Sequence, residues 1–211
     1  MQILAHRGYW EKVEEKNTLT AIQRAFVTGY GIETDIRDYC GKLVISHNIA
    51  DDNSPLVETM FAEYKKANCS KVLALNVKAD GLQEILITLL EKYDIEKYFL
   101  FDMSIPELVV NDRMKLHYYT RHSDIEDCVN YLSADGVWLD CFYDKDWITV
   151  DRIKGHINKG KQVCIVSPEL HGNEYTDLWR TIKSEDLHKV DNVFLCTDKP
   201  KEAMNFFYGE V

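Results

Sequence analysis

Two histidines and two carboxylates stand near the start of the chain, each at or near the end of an extended segment. His6 and His47 both follow an apolar run of strand-like composition. Glu33 and Asp35 lie in a third such run, where alternate side chains point to the same face of a strand. Paired carboxylate oxygens suit a hard cation such as Mg²⁺ or Ca²⁺, and imidazoles exchange protons near neutral pH. These residues therefore predict metal-assisted acid–base chemistry.

The segments that would position these side chains alternate between the periodicities of strands and helices. We predict strands at residues 2–6, 31–35, 43–47, 72–78, 98–102, 114–120, 136–141, 162–167 and 192–197. The predicted helices cover residues 18–28, 56–68, 81–93, 105–112, 124–132, 147–159, 174–187 and 200–207. Residues 43–47 are expected to form a hairpin-like extension, because residues 39–42 have the composition of a turn. Alternation of this kind predicts an α/β fold, and by itself it fits a barrel or an open sheet.

Polar residues precede two of the predicted helices. Leucine and isoleucine recur at helical spacing over residues 81–93, and Asp80 is predicted to cap that helix. Asn17 is predicted to cap the helix that begins at Thr18 or Leu19. Such a cap is compatible with a supporting role for Asn17 beside the acidic pair.

The length of 211 residues and the composition agree with one compact enzyme domain, which we predict to span residues 1–211. A hydrophobic fraction of 45% supplies a core, and no apolar run is long enough to span a membrane. The mean hydropathy is −0.32. The net charge of −10 argues against nucleic acid as a partner. A candidate catalytic residue at position 6 leaves no room for a cleaved leader ahead of it, so a cytoplasmic location is expected.

The cysteines and the other histidines belong to no recognisable motif. The six cysteines form no C-x-x-C pair, and we interpret them as buried free thiols. Surface or supporting roles are expected for the remaining histidines, which are His117, His122, His156, His171 and His188.

Five motifs together resemble the superfamily of glycerophosphodiester phosphodiesterases and phosphatidylinositol-specific phospholipases C. His6-Arg7-Gly8 is similar to the family's opening H-R-G, and Asn17-Thr18-Leu19 to the end of its P-E-N-T-L. Glu33-Thr34-Asp35 matches its E-x-D, and His47 matches the histidine of its H-D. Thr197-Asp198-Lys199-Pro200 resembles its closing T-D-x-P. The order and spacing of these motifs agree over nearly the whole chain.

The resemblance implies a single-domain (β/α)8 TIM barrel without a sizeable inserted subdomain. It further implies cleavage of a small-molecule phosphodiester with a divalent cation, Mg²⁺ or Ca²⁺, as cofactor. Glu33 and Asp35 would bind the metal, while His6 and His47 would serve as general acid and base. Which histidine takes which role stays open, as does the nucleophile, which is either water or a neighbouring substrate hydroxyl.

One departure from the family pattern concerns the third metal ligand. The family usually carries E-x-K where this chain has Asn76-Val77-Lys78. We predict that Asn76 replaces the glutamate and coordinates through its amide oxygen. The loss of one negative charge should weaken metal binding, because ligand charge is one determinant of affinity.

Three cations are candidates for binding the substrate phosphate, namely Arg7, Lys78 and Arg121. Lys78 shares a predicted strand face with Asn76 and matches the family lysine. The planar guanidinium of Arg121 suits a phosphate or a carboxylate, and pairing with Asp102 or Asp140 is an equal alternative.

Two further acids, Asp102 and Glu169, follow predicted strands. Either residue could supply the carboxylate that is missing at position 76, or it could recognise substrate hydroxyls. Two alternatives to this activity also stay open. The first is a non-catalytic descendant that binds a phosphate or a metabolite. The second is a phosphodiesterase or lyase that acts on a glycan-linked or lipid phosphodiester.

Overall fold

The computed structural model describes residues 1–144 and 146–209. The chain forms two compact units. The N-terminal unit is Ala5–His117, and the C-terminal unit combines Met1–Leu4 with Tyr118–Val211. Residues 145, 210 and 211 of the predicted domain lie outside the described residues.

The N-terminal unit contains the strands that carry the candidate acidic residues. Its elements are the end of β1 (Gln2–His6), α1 (Leu19–Thr28), β2 (Gly31–Tyr39), β3 (Lys42–Ile45), α2 (Val57–Lys66), β4 (Leu73–Val77), α3 (Gln83–Lys92), β5 (Tyr98–Phe101) and α4 (Ile105–Arg113). The strand order is β5-β4-β2-β1, and β4 pairs in parallel with both β2 and β5. β3 pairs with β2 in the antiparallel direction, so the predicted hairpin-like extension is confirmed.

The C-terminal unit contains the remaining strands and helices. Its elements are the start of β1, then β6 (Tyr119–His122), β7 (Gly136–Leu139), α5 (Val150–Ile157), β8 (Gln162–Val166), α6 (Thr176–Ser184), β9 (Val193–Thr197) and α7 (Pro200–Tyr208). The strand order is β1-β9-β8-β7-β6, and the pairs from β6 to β9 are all parallel.

Eight parallel strands give the chain the predicted (β/α)8 TIM-barrel fold, with a helix after each described strand of the barrel except β6, which turns connect to β7. Between His47 and β4 the chain contains a loop and α2, which leaves no room for an inserted subdomain. Strands β4 and β9 are buried along their whole length, as expected for parallel strands that are covered on both faces. Among the described residues, no helix is both long enough and apolar enough to cross a membrane.

Gly8 lets the turn after β1 approach α1 closely. Its φ is 88°, and an added Cβ would lie 2.9 Å from the carbonyl carbon of Ala21 and from the nitrogen of Ile22. We expect Gly8→Ala to lower the free energy of unfolding by about 2–4 kcal/mol, because backbone strain and steric overlap add. Urea denaturation would measure the loss. Gly41→Ala is the matched control, with φ of 72° and nothing within 4 Å, and it should cost about 1 kcal/mol. Equal losses would contradict the close approach.

The helix predicted at residues 124–132 is wrong, because this segment forms turns between β6 and β7. The carboxylate of Asp124 accepts hydrogen bonds from the backbone N–H groups of residues 142–144, at 2.9, 2.6 and 2.8 Å. These bonds hold the start of the segment in a non-helical conformation. Leu132 is 91% exposed, so the apolar spacing of the segment does not correspond to a buried helix face.

Two smaller boundaries also differ from the sequence-based expectation. Helix α3 begins at Gln83, and Asp80 accepts a hydrogen bond from the hydroxyl of Ser104 at 3.2 Å instead of capping the helix. The strand predicted at residues 114–120 is observed at Tyr119–His122, because α4 extends to its C-cap at residue 114.

Candidate active site

Asp35 on β2 is the centre of a cluster of charged and polar groups. Its side chain is 0% exposed. The Oδ2 atom lies 3.1 Å from Nε of Arg7 and accepts a hydrogen bond from Nδ2 of Asn17 at 2.8 Å. The Oδ1 atom lies 3.3 Å from Nζ of Lys78 and 3.1 Å from Nδ1 of His47. Four side chains from different segments are therefore held by one carboxylate.

The charges around Asp35 keep this carboxylate ionised. Burial by itself raises the pKa of Asp35. The positive charges of Arg7 and Lys78, together with the hydrogen bonds from Asn17 and His47, outweigh burial and bring the pKa below its ordinary value. Asp35 therefore carries a negative charge at neutral pH.

Glu33 lies on the same strand face as Asp35, but its pKa is raised, whereas the pKa of Asp35 is lowered. Its Oε2 atom accepts a hydrogen bond from the backbone N–H of Arg7 at 3.2 Å and lies 3.8 Å from Nε2 of His6. Burial and the neighbouring charge of Asp35 raise the pKa of Glu33 to about 8. Both effects favour the protonated carboxyl, and any further positive charge beside Glu33 would favour the ionised form.

The segment after β1 contributes Arg7 and Asn17 to this cluster. Arg7 and Asn17 both have positive φ, 58° and 62°, and the backbone N–H of Asn17 donates to the carbonyl of Arg7 at 2.9 Å. The side-chain oxygen of Asn17 accepts from the hydroxyl of Thr34 at 2.8 Å, which orients its amide group toward Asp35. The cap predicted at Asn17 is wrong, because Thr18 caps α1.

His47 follows β3, and its Nδ1 atom contacts one positively charged and one negatively charged group. Nδ1 lies 2.9 Å from a terminal nitrogen of Arg7 and 3.1 Å from Oδ1 of Asp35. A protonated Nδ1 donates to Asp35, whereas an unprotonated Nδ1 accepts from Arg7. The first arrangement leaves Nε2 as the nitrogen that exchanges protons, and the His47 side chain is 45% exposed.

Asn76 on β4 lies directly opposite Asp35 in the parallel register. Its Nδ2 atom donates to Oδ2 of Asp102 at 3.0 Å. Its Oδ1 atom is buried and has no hydrogen-bond partner among the described residues. Such an acceptor is costly unless a donor or a cation satisfies it.

The donors in this cluster fit a hard divalent cation. Glu33, Asp35 and the amide of Asn76 offer only oxygen atoms, which Mg²⁺ and Ca²⁺ prefer. In the described part of the chain, neither acid belongs to a group of three close His, Cys, Asp or Glu ligand atoms. The amide oxygen of Asn76, on the neighbouring strand, is a further oxygen atom of this kind.

The predicted site residues divide between the two units. Direct contacts in the N-terminal unit connect His6, Arg7, Asn17, Glu33, Asp35, His47, Asn76, Lys78 and Asp102. The sequence analysis missed Thr34, although a hydroxyl between two acids on one strand is a signal for a supporting hydrogen bond.

Arg121 and Glu169 belong to the C-terminal unit and have contacts of their own. Arg121 forms an ion pair with Glu126 at 2.6 Å. Glu169 accepts hydrogen bonds from the hydroxyl of Thr197 and, at 3.2 Å, from the backbone N–H of Asp198. Burial raises the pKa of Glu169.

A cavity of about 530 Å³ in the N-terminal unit lies away from this cluster. Its lining includes Leu90, Ile95, Tyr98 and Leu116. Tyr98 is the first residue of β5, so the cavity lies at the amino end of that strand. The charged cluster contains Asp102, which follows the carboxyl end of the same strand, and the cavity is therefore not part of it.

Solved structures share the fold of this chain. A candidate glycerophosphodiester phosphodiesterase from Galdieria sulphuraria is 18% identical, with 98% of this chain and 97% of that chain covered and a TM-score of 0.77. A phosphodiesterase from Oleispira antarctica, solved with its product sn-glycerol-3-phosphate, is 14% identical, with coverages of 98% and 96% and a TM-score of 0.71. A glycerophosphodiester phosphodiesterase from Agrobacterium tumefaciens is 13% identical, with coverages of 95% and 97% and a TM-score of 0.64.

These likenesses confirm the predicted resemblance at the level of the fold. No protein-family model matches the chain, and no curated protein matches it in sequence.

Proposed function

We propose that this chain is a member of the glycerophosphodiester phosphodiesterase superfamily that acts as one domain and cleaves a small phosphodiester with a divalent cation. The observation that carries the proposal is the pair Glu33 and Asp35 on one face of β2, flanked by two histidines and two cations. The cluster lies at and beyond the carboxyl ends of β1 and β4, where enzymes with this fold build their active sites. The Oleispira antarctica phosphodiesterase, which shares the fold, was solved with its product sn-glycerol-3-phosphate. This neighbour supports a glycerophosphodiester as the substrate class.

Glu33, Asp35 and Asn76 would hold the cation, which we propose to be Mg²⁺ or Ca²⁺. When bound, the cation supplies positive charge to a non-bridging oxygen of the phosphate. The buried amide oxygen of Asn76, which has no hydrogen-bond partner among the described residues, supports this role. Ionisation of Glu33 accompanies binding, because the pKa of this carboxyl is raised to about 8 without the metal.

His6 and His47 would move the protons of the reaction. One imidazole accepts the proton of the attacking hydroxyl, from water or from the substrate itself, and the other donates a proton to the departing alkoxide. Asp35 orients His47 through Nδ1, so that Nε2 is the nitrogen that accepts or donates the proton. Each proton taken up by one histidine is balanced by one that the other releases.

Arg7 and Lys78 would add positive charge beside the phosphate. Both side chains are already fixed by Asp35, at 3.1 and 3.3 Å, and both are partly exposed, at 23% and 22%. A cation held in this way loses little side-chain freedom when substrate binds, which favours affinity.

Asn76→Glu should change both stability and metal response. A glutamate at this position would face Asp102, which now accepts a hydrogen bond from the amide of Asn76. We expect the metal-free variant to lose about 1–3 kcal/mol of stability, because an acid at the buried position 76 then faces the half-buried Asp102. We further expect about tenfold tighter cation binding, because the ligand set gains a negative charge. Asn76→Gln is the matched control, since it lengthens the side chain without adding charge.

Isothermal titration with Mg²⁺ and Ca²⁺, combined with thermal unfolding in EDTA, would measure both effects. Equal cation affinity in the wild type, Asn76→Glu and Asn76→Gln would exclude residue 76 as a ligand.

Turnover of bis-p-nitrophenyl phosphate tests the proposed function itself. We expect release of p-nitrophenol that requires Mg²⁺, Ca²⁺ or Mn²⁺ and stops in EDTA. Cation-dependent binding of glycerol phosphate without turnover would contradict the enzyme and favour a binding protein. That alternative has one specific support, because Arg7 and Lys78 already neutralise Asp35 without a metal.

A further inference from the structure

We propose that His122, Cys128 and His156 form a second metal site, which binds a divalent transition metal of the Zn²⁺ type. One ligand atom from each residue lies within 4.8 Å of the other two. All three residues belong to the C-terminal unit, whereas the acidic cluster lies in the N-terminal unit. This site does not depend on the proposed phosphodiesterase activity.

One nitrogen of each imidazole approaches the other ring at a spacing close to that of two metal ligands, and the two ring planes are nearly perpendicular, at 88°. Nδ1 of His122 lies 3.0 Å from Nε2 of His156. In a tetrahedral zinc site, two nitrogens at the usual bond length are about 3.4 Å apart. A small increase in the distance between these two nitrogens would therefore admit the ion, with both atoms as ligands.

The remaining nitrogen of each ring has a partner of the kind that supports a metal-binding histidine. Nδ1 of His156 lies 2.8 Å from the hydroxyl of Tyr131. Nε2 of His122 lies 3.7 Å from a carboxylate oxygen of Asp127. The contact with Tyr131 fixes the orientation of the His156 ring and leaves its Nε2 atom to coordinate the ion.

Three different parts of the unit position the ligands. His122 ends β6, and His156 lies in the last turn of α5. Cys128 lies in the turn segment after β6, next to Val129, whose backbone N–H donates to the hydroxyl of Thr120 at 3.0 Å. The Sγ atom of Cys128 lies within 4.8 Å of a ring nitrogen of each histidine.

The ligand chemistry selects the class of metal. Two imidazoles and a thiolate favour Zn²⁺ over Mg²⁺ or Ca²⁺, which prefer oxygen ligands. The metal displaces the proton of the Cys128 thiol on binding, and water completes the tetrahedron.

Co²⁺ titration of the full-length, reduced protein tests the site, because a thiolate ligand to Co²⁺ produces a charge-transfer band in the near ultraviolet. We expect such a band at one equivalent of Co²⁺, with the visible spectrum of a tetrahedral ion, and its loss when Zn²⁺ is added. Cys128→Ser should abolish the band. Tyr131→Phe should keep it but weaken metal binding by about tenfold or more.

Cys69→Ser is the matched control, because Cys69 is another partly exposed thiol. It should leave the band and the affinity unchanged. Glu33→Gln should also leave them unchanged, which separates this site from the acidic cluster. The proposal is overturned if the wild type gives no thiolate band, or if Cys69→Ser removes the band as fully as Cys128→Ser does. If Cys128→Ser does not fold, His122→Ala replaces it as the test. Loss of the tetrahedral cobalt spectrum in His122→Ala would support the site, and an unchanged spectrum would overturn the proposal.

Discussion

His6→Ala and His47→Ala are each expected to lower kcat by about two to four powers of ten, the usual contribution of acid–base catalysis. His6 lies 3.8 Å from Glu33, and His47 lies 3.1 Å from Asp35, so both imidazoles border the pair of acids. Steady-state hydrolysis of glycerophosphocholine, with enzymatic detection of choline, would measure the loss.

The nature of the leaving group would separate the roles of the two histidines. A p-nitrophenolate departs without help, whereas an alkoxide needs a proton. The variant that lacks the general acid should therefore recover most of its activity on a p-nitrophenyl ester, and the variant that lacks the base should not. His117→Ala is the control, because His117 is exposed and lies at the cavity at the amino end of β5. Near-normal kcat in both His6→Ala and His47→Ala would refute the assignment.

Asp35→Asn is expected to lower the free energy of unfolding by about 3–5 kcal/mol, the usual result of removing one partner of a buried ion pair. The substitution leaves Arg7 and Lys78 without the carboxylate that both contact, and it disturbs the hydrogen bond from Asn17. Cation-dependent turnover should be lost as well, because the substitution removes a proposed metal ligand and, at the same time, the carboxylate that contacts His47. Urea denaturation and turnover assays would measure the two effects.

Asp38→Asn is the matched control for Asp35→Asn, since Asp38 lies on the same strand and is exposed. Its stability should stay within about 0.5 kcal/mol of the wild type, as is usual for surface positions. A similar small loss in Asp35→Asn would show that the central carboxylate does not hold the cluster together.

Local sequence patterns predicted the strands that carry the acidic pair. Alternation placed Glu33 and Asp35 on one face of β2, and apolar runs placed His6 and His47 at strand ends. Such patterns depend on neighbours along the chain, which the sequence displays directly. The choice of a barrel over an open sheet came from the motif resemblance, since alternation alone fits both.

Tertiary contacts explain the errors. Asn17 looks like a helix cap because asparagine favours that position, but its side chain binds Thr34 and Asp35. The segment 124–132 has apolar residues at helical spacing, yet Asp124 binds the backbone of residues 142–144. Contacts between residues that are far apart in sequence override local propensity.

The group of His122, Cys128 and His156 was also not visible in the sequence. Its ligands are widely spaced and form no known metal motif. The wrongly predicted helix around Cys128 further concealed the approach of its thiol to His122 and His156.

Phosphorus NMR of glycerophosphocholine incubated with the wild-type protein tests the central claim most directly, because it observes the phosphodiester bond itself. We expect the diester resonance to decline in the presence of Mg²⁺ or Ca²⁺ and a phosphate monoester or cyclic phosphate resonance to replace it, with no change in EDTA. An unchanged spectrum with each cation, for the wild type and for a folded Asn76→Glu protein with bound cation, would contradict cleavage of this substrate class. Cleavage that continues in EDTA would contradict the role of the metal.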